Sequence, residues 1–356
     1  MRAAIIGTGF MGQVHASAIR ASGHELVGVV GTTPSKAGAL AKKFPVAISS
    51  TSIDEILDLA PDVVHVCTPN SMHAAHATRA LERGISTIVE KPIATTLAEA
   101  IVLAELGTSV PVSAVPFVYR YHPLVLEIRE RISLHPTNRL WLLHGSYLQD
   151  WLAAESAVNW RTDSRAGGAS RAFADIGVHW CDLMEFATGQ RIVRLSARLG
   201  SVHQRPSADK NDTEDGGVIQ FETDAGALGS LVVSQASAGR SNRLWFSFDG
   251  SDESYSFDQE NPETAWIGTR GDNRIVRRDP VRQRGFASRA GALPAGHAQG
   301  YQACFNDFVG DVYAAAAGQS LSPVLPTVLD GLRAAELTEA VLASHRSNQW
   351  VLVGGA

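Results

Sequence analysis

Ala3-Ala4-Ile5-Ile6-Gly7-Thr8-Gly9-Phe10-Met11-Gly12 sets a short apolar run directly before three glycines in the spacing G-x-G-x-x-G. The run Ala3–Ile6 reads as a buried strand, and Met11–Ser22 after it as a helix. In that context each glycine has its own task. The first makes a tight turn, the second lets backbone approach a pyrophosphate, and the third permits close packing of helix on strand. The N–H groups that open the helix then face the diphosphate. The stretch predicts a dinucleotide-binding βα unit, with Gly7, Gly9, Phe10, Met11 and Gly12 as cofactor contacts.

Working outward, short apolar runs and helical patterns keep alternating through the first third of the chain, the signature of a parallel sheet. Strands are expected at Glu25–Val30, Pro45–Ile48, Asp62–Cys67, Ser86–Val89 and Pro111–Val115, with helices at Ser35–Phe44, Ser52–Leu59, His73–Arg83 and Thr96–Leu106. Beyond Pro116 the pattern changes. Helices at Pro123–Ser133 and Ala172–Thr188 flank strand-like segments rich in Val, Leu, Phe and Ser, and two helices near Gly300–Ala317 and Pro326–Ser344 close the chain. The expected fold is an α/β Rossmann domain over residues 1–118, followed by an α+β domain over 119–356. The second domain is expected to carry a large, mostly antiparallel open sheet for substrate binding and oligomerisation.

The bulk composition narrows the function. The 356 residues include 31 basic and 36 acidic side chains, for a net charge near −5. That balance gives no electrostatic reason to expect nucleic acid or an anionic membrane as partner. No stretch supplies the roughly 18 uninterrupted apolar residues of a membrane helix, and the glycine-broken start does not read as a secretory signal. Cys67, Cys181 and Cys304 are widely spaced among apolar neighbours and read as buried hydrophobes, not as a disulfide or metal set. A cytoplasmic protein is expected.

Specificity for the dinucleotide is read at the end of the second strand. Val29-Val30-Gly31-Thr32-Thr33-Pro34-Ser35-Lys36 holds no Asp or Glu to accept a bond from a ribose 2′-hydroxyl and repel a 2′-phosphate. Thr32, Thr33 and Lys36 instead offer room, hydroxyls and a positive charge. The cofactor is expected to be NADP or NAD, with a lean to NADP.

Three further motifs complete the pattern. Cys67-Thr68-Pro69-Asn70-Ser71-Met72-His73 ends one predicted strand, Glu90-Lys91-Pro92 ends the next, and Asp175-Ile176-Gly177-Val178-His179 opens a helix in the second domain. With the glycine motif, these make the chain resemble the Gfo/Idh/MocA oxidoreductases, the family of glucose–fructose oxidoreductase and inositol dehydrogenase. The resemblance implies that Lys91, Asp175 and His179 carry the chemistry. A hydroxyl that loses hydride must also lose its proton, so a base is needed. His179 suits that role, with Asp175 orienting it or hydrogen-bonding the sugar and Lys91 polarising the reacting oxygen. Asp175 and His179 stand four apart, so a regular helix would project both from one face. The premise is that Lys91 and His179 converge beside the nicotinamide ring.

The resemblance also implies that Thr68, Pro69, Asn70 and His73 line the nucleotide site, that Glu90 bonds the cofactor or orients Lys91, that Arg120 reaches the cofactor, and that Trp160 and Arg161 reach the cofactor or the substrate. Tyr119, Gln149, Trp151 and His297 are candidate substrate contacts, since Tyr147-Leu148-Gln149-Asp150-Trp151 joins aromatic faces to polar groups as sugar sites do. Each residue has a plainer alternative. Asp175 would serve as a helix cap, His179 as a core histidine, Lys91 and Arg161 as surface charges, and Tyr119-Arg120 as hinge packing. A metal held by Asp175, His179 and Asp182 lacks companion ligands, and nicotinamide chemistry needs none. Seven arginines within Arg270–Arg289 read as a solvated loop or edge, or else as a contact for a neighbouring subunit or an anionic substrate group.

The expected activity is an NAD(P)-dependent dehydrogenase (EC 1.1.1 class) acting on a secondary hydroxyl or ketone carbon of a sugar, anhydrosugar, glycoside or cyclitol. One alternative keeps the cofactor in place through turnover and recycles it, as a two-substrate oxidoreductase or in redox-assisted glycoside cleavage. Another is a nucleotide sensor, for which proton-transfer groups such as Lys91, Asp175 and His179 have no use. The family commonly forms dimers or tetramers, so a homo-oligomer is expected.

Overall fold

The computed structural model describes residues 1–157, 159–203, 213–283, 285–290 and 292–354. The chain divides into two compact units, Met1–Val118 with Tyr301–Ala335, and Tyr119–Gly300 with Glu336–Ala356.

In the first unit, β1 (Arg2–Ile6), β2 (Glu25–Val30), β3 (Ile48–Ser50), β4 (Val63–Val66), β5 (Ser86–Val89) and β6 (Ser113–Ala114) form one sheet. Its order is β3-β2-β1-β4-β5-β6, with every pairing parallel. The order reverses between β1 and β4, which opens a crevice at the carboxyl ends of these strands where nucleotides bind. The helices α1 (Phe10–Ala21), α2 (Pro34–Lys43), α3 (Ile53–Leu57), α4 (His73–Leu81) and α5 (Leu97–Gly107) alternate with the strands. Thr96 and Glu99 close the N-terminus of α5 as a capping box. The third strand starts later than Pro45–Ile48 because Pro45 has no N–H for the ladder; pairing with β2 begins at Ile48.

In the second unit, β7 (Leu140–Leu148), β8 (Ile192–Gly200), β9 (Gly216–Thr223), β10 (Leu228–Ser234), β11 (Arg243–Gly250), β12 (Glu253–Asp258), β13 (Thr264–Thr269), β14 (Asn273–Arg277) and β15 (Val351–Leu352) build one sheet. The order is β14-β13-β12-β11-β7-β10-β9-β8-β15. Among the described residues only β7 and β10 pair in parallel, so the sheet is mostly antiparallel. One face buries Leu143, Tyr147, Ile219, Phe221, Leu231, Val233, Phe246 and Phe248, while Trp141, Val218, Leu228 and Val232 stay exposed. Phe246 and Phe248 stack at 4.1 Å, and burying each ring contributes on the order of 1.5–3 kcal/mol. The helices are α6 (Pro123–Leu134), α7 (Ser164–Gly167), α8 (Val178–Thr188) and α9 (Gly285–Ala290). Trp180 of α8 donates to the Trp245 carbonyl at 2.9 Å, over Gly145 of β7, where any side chain would collide with the indole. That contact seats α8 on the sheet.

Two helices close the chain, α10 (Tyr301–Ala316) and α11 (Val328–Ser347). Assigning everything after residue 118 to the second domain fails here, because Tyr301–Ala335 belongs to the first unit. Its α10 packs on α1, and Val115 donates to the Pro326 carbonyl at 3.2 Å. An amphipathic helix shows which face it buries but not which sheet receives it.

The arginine run is also more varied than expected. Arg274 and Arg277 lie on the edge strand β14, but Arg278 is fully buried. It pairs with Glu263 and holds the carbonyls of Leu293, Pro294 and His297. Arg284 lies outside the described residues. All three cysteines are buried and outside any disulfide, and no helix is long and apolar enough to cross a membrane among the described residues.

Candidate active site

The turn after β1 shows what each glycine is for. Gly7 has φ of +114°, and a Cβ there would strike the Cys67 carbonyl. A Cβ on Gly12 would strike the Gly7 carbonyl. Gly9 is different, since nothing lies within 4 Å of the position its Cβ would take. It stands at the N-cap of α1 without a side-chain cap, followed by Phe10, which is 74% exposed, and by half-buried Met11. Packing therefore demands glycine at 7 and 12, whereas the bare approach at 9 leads to open space before a helix N-terminus. That arrangement fits a dinucleotide's diphosphate. At the end of β2, Thr33 caps α2 by accepting from the Lys36 N–H at 3.2 Å, while Thr32, Thr33 and Lys36 are all exposed.

The segments after β4 and β5 are tied to each other through His73. Its Nε2 lies 2.7 Å from the Thr68 carbonyl and its Nδ1 2.7 Å from the Pro92 carbonyl. Burial lowers the imidazole pKa, against the opposing pull of the two carbonyls. The ring is thus a brace joining Thr68-Pro69-Asn70 to Glu90-Lys91-Pro92, a more structural task than lining the nucleotide site. Thr68 Oγ1 meets His76 Nδ1 at 3.3 Å. The Lys91–Pro92 bond is cis, and the Lys91 N–H donates to Glu90 Oε2 at 3.2 Å. Glu90 is buried, and Oε1 meets His15 Nε2 at 3.0 Å. Burial works to raise its pKa, but the hydrogen bond from His15, with the positive charge of Lys91 beside it, holds it below the ordinary carboxyl value. Cys67 is no nucleophile, because burial, then Glu90, push its thiol pKa well up.

In the second unit the expected regular helix opens instead with a π-turn. Phe173–Gly177 is π-helical and leads into α8, so Asp175 sits in the wide turn and His179 in the α-helix. The four-residue rule for one face does not carry across that change of pitch. Asp175 accepts from Gln235 Nε2 at 2.7 Å and lies 3.6 Å from Arg161 Nε, whose guanidinium covers the Trp160 ring at 4.4 Å. His179 is buried against the edge of Tyr119 at 5.2 Å, with Tyr147 at 6.3 Å.

A chain of polar contacts extends from those rings. The Tyr119 and Tyr147 hydroxyls meet at 2.6 Å, Tyr147 donates to Asn242 Oδ1 at 2.8 Å, and Gln149 donates to the same oxygen at 2.7 Å. Trp151 Nε1 then donates to Gln149 Oε1 at 2.9 Å. The structure so brings Tyr119, Gln149, Trp151 and His179 into one neighbourhood, and adds Asn242 and Gln235, which sequence reasoning missed. Gln235, a buried polar residue just past the apolar strand β10, left a signal; Asn242 left none. Two candidates find other partners. Arg120 forms a two-bond pair with Asp182, with Nε 2.9 Å from Oδ2, over the Phe186 ring. His297 is exposed, and its carbonyl anchors Arg278. Among the described residues no group of three or more His, Cys, Asp or Glu is placed to hold a metal.

Fold and site together define an oxidoreductase with a Rossmann nucleotide domain. Residues 1–112 match the oxidoreductase family with an NAD-binding Rossmann fold, and residues 125–256 match the GFO/IDH/MocA C-terminal domain. The chain belongs to the GFO/IDH/MocA family. It is 28% identical to levoglucosan dehydrogenase of Pseudarthrobacter phenanthrenivorans, over 98% of this chain and 96% of that one. Among solved structures, an oxidoreductase domain protein from Kribbella flavida is 30% identical with a TM-score of 0.90, covering 99% of both chains. A levoglucosan dehydrogenase in complex with NADH and levoglucosan is 27% identical with a TM-score of 0.92, covering 100% of both.

Proposed function

We propose that the protein is a nicotinamide-dependent dehydrogenase acting on a secondary hydroxyl, or the matching ketone, of a sugar, anhydrosugar, glycoside or cyclitol. The observation that carries this reading is the neighbourhood of Asp175 and His179. A carboxylate held by Gln235 precedes an imidazole walled by Tyr119 and Tyr147. Beyond it runs a polar chain through Asn242 and Gln149 to Trp151. Such a set suits a ring rich in hydroxyls, with aromatic faces for its apolar side and a base for its proton. Likeness to levoglucosan dehydrogenase along the whole chain supports the substrate class.

Gly7, Gly9, Gly12 and the first N–H groups of α1 would hold the diphosphate, and the nicotinamide, when bound, supplies the hydride acceptor or donor. His179 takes the hydroxyl proton, and Asp175, held by Gln235, orients that ring or bonds a substrate hydroxyl. Lys91 holds the reacting oxygen and lessens the cost of alkoxide character. The ribose end accepts NAD and leans to NADP, because Thr32, Thr33 and Lys36 bring no negative charge against a 2′-phosphate. In this reading the protein is cytoplasmic and assembles as a homodimer or homotetramer, and the apolar Trp141, Val218, Leu228 and Val232 exposed on the sheet support the assembly.

The test is a screen of levoglucosan, myo-inositol, free glucose and methyl glucosides with NAD and NADP in parallel, following reduced-cofactor absorbance. Lys91→Ala and His179→Ala should each cut turnover by about two to four powers of ten. Wild-type rates in both would refute the roles given to them. Lys36→Glu should weaken NADP at least about tenfold relative to NAD, as an acid placed beside a 2′-phosphate does; an unchanged ratio would refute the lean.

A further inference from the structure

A line of hydrogen bonds crosses the core of the first unit and ends at the carboxylate next to Lys91. Glu90 Oε1 meets His15 Nε2 at 3.0 Å, His15 Nδ1 meets His65 Nδ1 at 2.7 Å, and His65 Nε2 meets the Tyr313 hydroxyl at 2.9 Å. These groups come from the end of β5, from α1, from β4 and from α10. Both histidines are fully buried, and Glu90 and Tyr313 are nearly so. Among the described residues each ring nitrogen of His15 and His65 is used once, so the line has no branch there. At its far end Tyr313 stacks on half-exposed His24 at 4.1 Å, near exposed Asp62.

Packing alone does not ask for such a line. His65 stands between Val64 and Val66 in a strand of the sheet's core, where an apolar side chain would fill the space without a desolvation cost. With Glu90 ionised and both rings neutral, Tyr313 donates to His65 Nε2, His65 Nδ1–H donates to His15 Nδ1, and His15 Nε2–H donates to Glu90. Every donor points toward the carboxylate.

We propose that this line is a proton path through which the buried carboxyl of Glu90 exchanges its proton with bulk water. In one shift Tyr313 gives its proton to His65, His65 gives its Nδ1 proton to His15, and His15 gives its Nε2 proton to Glu90. Water on the Asp62 side restores the proton to Tyr313. One bulk proton is taken up, one carboxylic acid is formed, and the reverse shift returns the proton. Burial lowers the His65 pKa well below its ordinary value and keeps the ring neutral, as a relay ring must be. The other charged or titratable groups facing Glu90 are Lys91, His73 and Cys67. The Met1 amino group lies by His24, and Phe305 closes over His15. The value of the path to turnover rests on the function proposed above, in which Lys91 serves a reaction that releases or consumes one proton.

The test needs no substrate. In the full-length protein with 15N-labelled histidine at neutral pH, His15 should be the Nε2–H tautomer and His65 the Nδ1–H tautomer. On transfer to D2O both ring protons should exchange together and well ahead of the backbone amides of Val64 and Val66. Tyr313→Phe, which keeps the ring stacked on His24, should slow both at least tenfold and leave those amides unchanged. His65→Gln should slow His15 similarly, because an amide bonds to both neighbours without passing a proton. Ring exchange at the pace of the surrounding amides, the opposite tautomers, or no slowing in Tyr313→Phe would overturn the path. Reduction of NAD by levoglucosan with the wild-type protein reads the proposed function separately, so either idea can fail alone.

Discussion

Replacing His122 by leucine should remove a defined part of the protein's acid sensitivity. The imidazole is fully buried in the second unit, with neither ring nitrogen hydrogen-bonded among the described residues. It stacks on Tyr119 at 5.9 Å, and Tyr119 in turn walls His179. Burial pushes its pKa down to about 4, despite the opposing charge of Glu263. In the unfolded chain the value is about 6.5. The unfolded state therefore binds the proton more readily, so stability from the neutral ring is full above about pH 6.5 and is lost as pH falls towards 4. Each pH unit in that window carries about 1.4 kcal/mol, for a total of about 3 kcal/mol. Urea unfolding of both proteins between pH 7 and pH 4 reads the difference directly. At pH 7 the two should agree within about 1.5 kcal/mol, since leucine forfeits no hydrogen bond. Near pH 4 the wild type should have lost about 3 kcal/mol more than the variant. Parallel pH profiles, within about 0.5 kcal/mol, would refute a neutral buried His122.

The glycine turn separates folding from binding. Gly7→Ala should cost about 2 kcal/mol or more, because an L-residue at φ of +114° is strained and its Cβ meets the Cys67 backbone. Gly9→Val should leave the melting temperature within a few degrees of the wild type yet abolish NAD binding by calorimetry; retained binding would refute the diphosphate assignment. Gln235→Leu removes the 2.7 Å bond to Asp175, which should cost about 1.5–3 kcal/mol for a bond to a carboxylate. It should also lower kcat more than it raises KM, and unchanged stability and kcat together would show that Asp175 does not depend on Gln235.

Local chemistry carried much of this protein. The glycine spacing, the alternation of short apolar runs with helices, and turn chemistry depend on near neighbours, so they were legible as a Rossmann unit followed by a mostly antiparallel sheet. Cysteine burial was legible for the same reason. Glu25–Val30 and Ser86–Val89 have the bounds expected of them. The regular helix expected over Asp175 and His179 became a π-turn, a change of pitch that residue spacing does not encode. Tertiary structure alone decided the return of Tyr301–Ala335 to the first unit, the burial of Arg278 and the meeting of Arg120 with Asp182. The same holds for His65 and Tyr313, which are 248 positions apart. A polar side chain declares its need for a partner in the sequence, but the partner's identity follows from where the chain returns, and that is set by packing over its whole length.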